Sequence, residues 1–251
     1  MAIAKSSLST NIWGYNCEHN GIKKDNRFTY EVLTEKHIEQ VTQIFTQAFC
    51  DDEPMTHFLD MQYATYTEFA RAVTKEAANA GFSIVALDGD KVVACGLSED
   101  LADIKPIPID FDPNFKYIIA LLDDLGKDYF PGKIFPPLEV AHLFITAVAR
   151  DYRHLGLSTQ INFRAMDLAA MLGFKFMYCE LTNILNERGI MHHLKNTKKL
   201  IGSRTYNDFV TEGIRPFAGL TSGANSYLWE IQPHSQLIYS VDGVTYRENL
   251  K

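Results

Sequence analysis

The stretch Leu143–Glu180, LFITAVARDYRHLGLSTQINFRAMDLAAMLGFKFMYCE, reads as an apolar strand, a basic turn containing a glycine, an amphipathic helix and a second apolar strand. Alternation at Val140, His142, Phe144, Thr146 and Val148 marks the first strand, and the helical period begins with Leu157, Ile161, Ala165, Leu168 and Leu172. Between them the chain turns at Tyr152 to Ser158. The first turn of a helix carries unpaired N–H groups and the positive end of the helix dipole. Gly156 has no Cβ, so a ligand can approach the backbone closely, and Arg153 adds a full positive charge. The amides of Arg153, His154, Leu155, Gly156, Leu157 and Ser158 thus form a site for an anion, and a pyrophosphate fits it. An ordinary strand-to-helix connection of an α/β domain has the same outline, so the turn by itself leaves both readings open.

Upstream of this stretch, Phe28–Leu33 reads as a first strand, with Thr34 as N-cap of a helix to about Phe49. A second helix is expected from about Thr56 to Ala80, ending at Gly81. FSIVALD and KVVACGLS flank Gly89 as a hairpin turning through DGDK. In an insertion of about residues 100–137, the spacing of Phe115, Ile118, Ile119, Leu122 and Leu125 predicts an amphipathic helix between proline-rich loops. FKFMYCEL then reads as a buried strand, followed by a helix near Asn186–Lys195 and strands around Ser203–Val210 and Tyr227–Gln232. The ending LIYSVDGVTYR carries a second Asp-Gly hairpin signal.

A chain of 251 residues, 46% hydrophobic and 22% charged, buries a full core. The expectation is an extension at 1–27, one α/β domain at 28–232 and a hairpin or tail at 233–251. With 24 basic against 31 acidic residues and a net charge of −7, no nucleic-acid surface is expected. No apolar run has the length of a membrane span and the start has no secretory apolar core, so a cytoplasmic protein without a membrane partner is expected. Cys17, Cys50, Cys95 and Cys179 form no CxxC pair, which argues against a zinc site or a disulfide framework, and Cys50 is the one to test for reactivity.

Val148 followed by YRHLGLS resembles the acetyl-CoA-binding motif of the GNAT superfamily of N-acetyltransferases. That motif runs from a strand ending in Val through Arg or Gln, two residues, Gly, one residue, then Gly or Ala. Ser158 stands at the last position, where a small side chain still permits close approach. AFCDDEPMTHFLDM (Ala48–Met61) resembles the DEPL segment of insect-type arylalkylamine (dopamine-like) N-acetyltransferases. FKYIIALLDDLGKDYF (Phe115–Phe130) and YNDFVTEGIRPF (Tyr206–Phe217) follow in the order of that family. The resemblance spans about 28–232. It implies a single acyl-CoA N-acyltransferase fold, with a mixed, mostly antiparallel central sheet flanked by helices and split near the cofactor site. It also implies acetyl-CoA as co-substrate, no metal, a small primary amine as acceptor, direct attack in a ternary complex, and a monomer or homodimer.

Acetyl transfer to an amine requires removal of an amine proton, polarisation of the thioester carbonyl and protonation of the leaving thiolate. The resemblance assigns Thr146, Ala147 and Val148 to the pantetheine arm, and Glu53, between Asp52 and Pro54, to the role of general base. An acid before proline also serves simply to start a helix. His142, six residues before Val148, is the second candidate base, since related enzymes carry Glu or His there; a lone strand histidine is also often structural. The family's acid is commonly a Tyr about seven residues beyond an Asn. Here His193 lies seven after Asn186, which assigns Asn186 to the pantetheine and His193 to the thiolate. Glu180 and Asn186 stand where the insect-type enzymes have serines, so a serine relay is not expected. His192 and His193, adjacent on a helix, point apart and do not make a zinc pair. Tyr63, Tyr66, Phe111, Phe115 and Tyr117 either line an aromatic acceptor pocket or pack as core. Two alternatives stay open: an acceptor that is a protein, polyamine or antibiotic amine, and an acyl-CoA-binding module without catalysis.

Overall fold

The computed structural model describes residues 10–11, 27–106, 110–130, 132–193, 198–231, 237–241 and 244–248. Its strands are β1 (Thr10–Asn11), β2 (Thr29–Val32), β3 (Ile84–Asp88), β4 (Lys91–Asp100), β5 (Val140–Val148), β6 (Phe176–Leu181), β7 (Lys198–Thr205), β8 (Gly223–Glu230), β9 (Leu237–Val241) and β10 (Val244–Glu248). The helices are α1 (Ile38–Asp52), α2 (Pro54–Phe58), α3 (Tyr63–Ala80), α4 (Phe115–Gly126), α5 (Leu157–Leu172) and α6 (Ile184–His193). One sheet runs in the order β10-β9-β1-β2-β3-β4-β5-β6-β8-β7. Among the described residues its pairings are antiparallel except β5 with β6. The fold is therefore α/β with a mixed, mostly antiparallel sheet, as expected.

Helices cover both faces. Val41, Phe45, Phe69, Val73 and Leu121 of α1, α3 and α4 pack with Val85, Leu97 and Ala147 on one side. Leu157, Ile161 and Leu168 of α5 pack with Ile84, Leu143 and Met177 on the other. Adjacent residues of β3, such as Ile84 and Val85, thus serve opposite layers, which is why FSIVALD is apolar without alternation. Each such buried side chain contributes roughly 1.5–3 kcal/mol.

The expected helix Thr56–Ala80 is two helices. Asp60 adopts a left-handed φ of 52° between α2 and α3, and this reversal delivers Met61 to the core. Gly81 ends α3 with φ 79°, as its position predicts. The helix expected to end near Phe49 continues to Asp52. Pro54 then disfavours the helical region for the residue before it, and Glu53 is extended at φ −71° and ψ 123°.

The strand expected around Ser203–Val210 lies earlier, as β7. Residues after Thr205 turn so that Tyr206, Phe209 and Phe217 reach the core. A register shift in β7 near Gly202 brings the Leu125 carbonyl of α4 against the strand, where a Cβ would overlap it. The C-terminal Asp-Gly signal corresponds to the β9–β10 pair, which joins the sheet through β1. Its Asp242 and Gly243 lie outside the described residues, as do most of 1–27 and the first residues of the 233–251 segment.

Candidate active site

The parallel pair is where the sheet opens. β5 and β6 are in register at Val140 with Phe176, Ala141 with Met177 and His142 with Tyr178, and the pairing stops there although both strands continue. The direction of the freed backbone groups follows from the flanking ladders. Ala149 donates to Val93 across β4, so in this antiparallel register Ala147 and Ile145 also face β4, whereas Thr146 and Val148 face the opening. On the other side Ile231 donates to Lys175, so the backbone of Glu180 faces the opening from β6. Thr146 and Val148 therefore present free strand groups. Ala147 does not: its backbone is turned to β4 and its side chain is buried with α1.

Beyond β5 the chain makes a 3₁₀ turn at Arg150–Tyr152, pinned by the Tyr152 hydroxyl on Asp88 at 3.0 Å. His154 and Gly156 then take left-handed φ values of 63° and 75°. Gly156 is the N-cap of α5, and the first paired helical amide is that of Gln160, on the Gly156 carbonyl at 3.1 Å. The amides of Leu157 and Ser158 precede it in the unpaired first turn. Leu155 and His154 are exposed around them. Thr146 donates its hydroxyl to Asn162, which in turn donates to the Ser158 carbonyl at 2.7 Å, so strand and helix start are locked together. Arg153 points back to α1, where its guanidinium pairs with Asp52, and Arg150 pairs with Asp51.

Those acids directly precede Glu53. As N-cap of α2, Glu53 accepts at Oε2 from both the amide and the hydroxyl of Thr56, each at 2.7 Å. The helix-start role is thus real, but it uses one oxygen. The side chain is 7% exposed, and Oε1 is buried with no partner among the described residues. The Tyr66 hydroxyl bonds Thr56 behind it. Tyr206, which also feels the Glu53 charge, donates to the Thr182 carbonyl just past β6, and Asn183 donates to the Asp52 carbonyl at 3.4 Å. Glu53 accordingly sits over the end of β6, beside the opening.

His142 lies at the root of the opening. Its Nδ1 is 2.8 Å from Glu99 Oε1 and its Nε2 is 2.8 Å from Glu180 Oε2. Burial works against a charged ring, but Glu180 and Glu99 outweigh it and push the pKa up to about 10. Each ring nitrogen already has a carboxylate partner, so His142 can take a proton from an amine only by giving up one of these contacts. Asp123 of α4 is raised by burial and by the nearby Glu180 charge.

Asn183 caps α6 through Leu185 at 2.9 Å, and one turn in, Asn186 holds a buried Oδ1 without a partner among the described residues. A donor from a ligand arm would satisfy it. His193 ends α6, and its side chain lies outside the described residues, as does that of His192. The aromatic residues expected at an acceptor pocket divide. Tyr66, Phe69, Phe111 and Phe115 pack ring against ring at 4.7–5.7 Å, as core. Tyr63 is exposed with its hydroxyl on Asp51, and Tyr117 is half-buried. Cys50 is buried, and desolvation with the Asp51 charge pushes its thiol up to about 11, which disfavours the reactive thiolate. Among the described residues no group of His, Cys, Asp or Glu is arranged to hold a metal, and no helix is long and apolar enough to cross a membrane.

Sequence reasoning missed Thr56 and Glu99, and read Glu180 only as a replacement. Thr56 was accessible, being three residues past an N-cap acid. Glu99 was not, because only the β4–β5 register places it opposite His142.

No family model matches the chain. Among solved structures it is similar to the C-terminal condensation domain of Ebony in complex with beta-alanyl-dopamine, with a TM-score of 0.72 and 15% identity over 81% of this chain and 99% of that one. Arylalkylamine N-acetyltransferase 2 from Aedes aegypti gives a TM-score of 0.67 and 18% identity over 82% of this chain and 100% of that one. The Drosophila melanogaster polyamine N-acetyltransferase gives 0.61 and 13% identity over 81% and 99%. A sheet forked, among the described residues, at its one parallel pair, with a glycine turn opening the following helix, is the fold of the GNAT N-acetyltransferases. Within that fold the architecture resembles that of the insect arylalkylamine N-acetyltransferases.

Proposed function

We propose that the protein is an N-acetyltransferase that moves an acetyl group from acetyl-CoA to a small primary amine. The observation that carries this reading is the convergence at one opening of free strand groups, an unpaired helix start and a buried carboxylate oxygen without a partner. The amides from His154 to Ser158 hold the diphosphate, and Arg153 exchanges part of its pairing with Asp52 for a phosphate. Thr146 and Val148 align the pantetheine as an added strand, Asn186 Oδ1 accepts from one of its amides, and a strand N–H polarises the thioester oxygen. Glu53 accepts the amine proton at Oε1 while Thr56 holds Oε2.

Two acceptor classes compete. Arylalkylamines are the acceptors named for one similar structure, agmatine for another. Release of CoA thiol with tyramine, dopamine, serotonin, agmatine and spermidine separates them. Acetyl-CoA titration by calorimetry tests the donor; no binding at millimolar concentration refutes the enzyme reading.

A further inference from the structure

We propose that His142 is a positioning residue, a charged rivet that fixes where β6 parts from β5 and hence the width of the opening. Its place is decisive. It is the last residue of β5 paired with β6, and its ring joins three strands at once, reaching Glu99 on β4 and Glu180 on β6 at 2.8 Å each. The three side chains are 13%, 18% and 12% exposed, so the bridge is shielded from water and salt. Tyr178 packs on one side of the ring at 5.1 Å and Phe144 approaches at 5.6 Å, which restricts its rotation.

β6 and β8 form a continuous ladder over Phe176–Leu181, whereas β5 holds β6 through three register pairs and this bridge. Glu180 lies past the last pair and its backbone faces the opening. The His142–Glu180 bond is therefore the side-chain tie from β5 to the free lip of β6, beyond which Tyr206 holds the Thr182 carbonyl. A neutral ring would leave two acids, with Asp123 nearby, repelling across the root of the fork. The inference deepens the proposed reaction, since the width so fixed is that of the slot for the pantetheine.

The test compares His142→Gln with a triple variant, Glu99→Gln, His142→Gln and Glu180→Gln, which removes every charge of the bridge while keeping side chains that hydrogen-bond. Hydrogen exchange on ligand-free protein reads the fork directly. In His142→Gln the amides of Tyr178 to Thr182 are expected to exchange about tenfold faster relative to those of β3, and in the triple variant to return toward wild type. Acetyl-CoA is expected to bind His142→Gln about tenfold more weakly and the triple variant within about threefold of wild type. Turnover in the triple variant persists, which a proton-transferring His142 would not allow. Unchanged exchange in His142→Gln overturns the rivet whether or not acetyl-CoA binds. An inactive triple variant with normal cofactor affinity overturns a purely positioning role for the bridge. Should His142→Gln not fold, the triple variant alone decides: wild-type exchange with retained turnover supports the rivet, and fast exchange overturns it. Failure of wild type to bind acetyl-CoA counts against the proposed function and leaves the exchange result to stand by itself.

Discussion

Replacing Glu53 with Gln isolates the oxygen to which the proposed reaction assigns the amine proton. The amide is isosteric, and its oxygen can still take both Thr56 donors, so the N-cap of α2 persists and the expected loss of stability is below about 1 kcal/mol. What changes is the other position, where a buried oxygen lone pair becomes an NH₂ group. A primary amine with the pKa of a lysine side chain, ~10.4, is neutral in roughly one molecule per thousand at pH 7.4. A base in the site removes that limit by up to about 10³, or about 4 kcal/mol of barrier. General bases contribute 10²–10⁴ in practice, so a 10²–10³-fold fall in kcat/KM at pH 7.4 is expected. The pH dependence carries the sharper signature. Without the carboxylate the rate should follow the free amine, rising about tenfold per pH unit up to the amine pKa, so that the deficit narrows on the alkaline side. The assay is CoA-thiol release from pH 6.5 to 9.5 under saturating acetyl-CoA, with calorimetric binding as a control for the fold. Wild-type rates at pH 7.4, or a deficit that stays constant across the range, would refute the assignment.

The rivet predicts a stability profile. The folded pKa of His142 is raised from 6.5 to about 10, so its contribution is fully present below about pH 6.5 and fades as pH rises toward 10. Urea unfolding of wild type should lose up to about 4 kcal/mol over that window relative to the triple glutamine variant, and parallel curves would contradict the charged ring. Gly202→Ala should drive a Cβ into the Leu125 carbonyl, costing about 3 kcal/mol and lowering Tm by about 6–12 °C in calorimetry; an unchanged Tm would mean that α4 can move aside. Gly156→Ala meets no neighbour, but alanine at φ 75° costs about 1–2 kcal/mol; an empty exposed turn relaxes from that φ and must be returned to it on binding, so acetyl-CoA affinity should fall about five- to thirtyfold by titration with little change in Tm. Equal affinity would place the diphosphate elsewhere.

Much of this was written locally. Helix α5 and its glycine turn, hairpin β3–β4, the amphipathic α4 and the terminal ribbon each depend on neighbours a few residues apart, and periodicity and turn chemistry report such interactions directly. Glu53 was legible for the same reason, since Pro54 alone forces it out of the helix and Thr56 completes its cap within four residues. The break at Asp60 was not, because it follows from Met61 reaching the core. The contacts of His142 were decided by register: a strand pattern shows that it alternates, but only the pairing of β4, β5 and β6 puts Glu99 and Glu180 on its two nitrogens. Ala147 likewise changed sides once the β4 ladder fixed which backbone groups were already taken. The sequence by itself determined the elements and the residue types that carry chemistry; the tertiary structure decided which of those groups were free, because hydrogen bonds and charges between distant segments occupy donors that no local pattern can count.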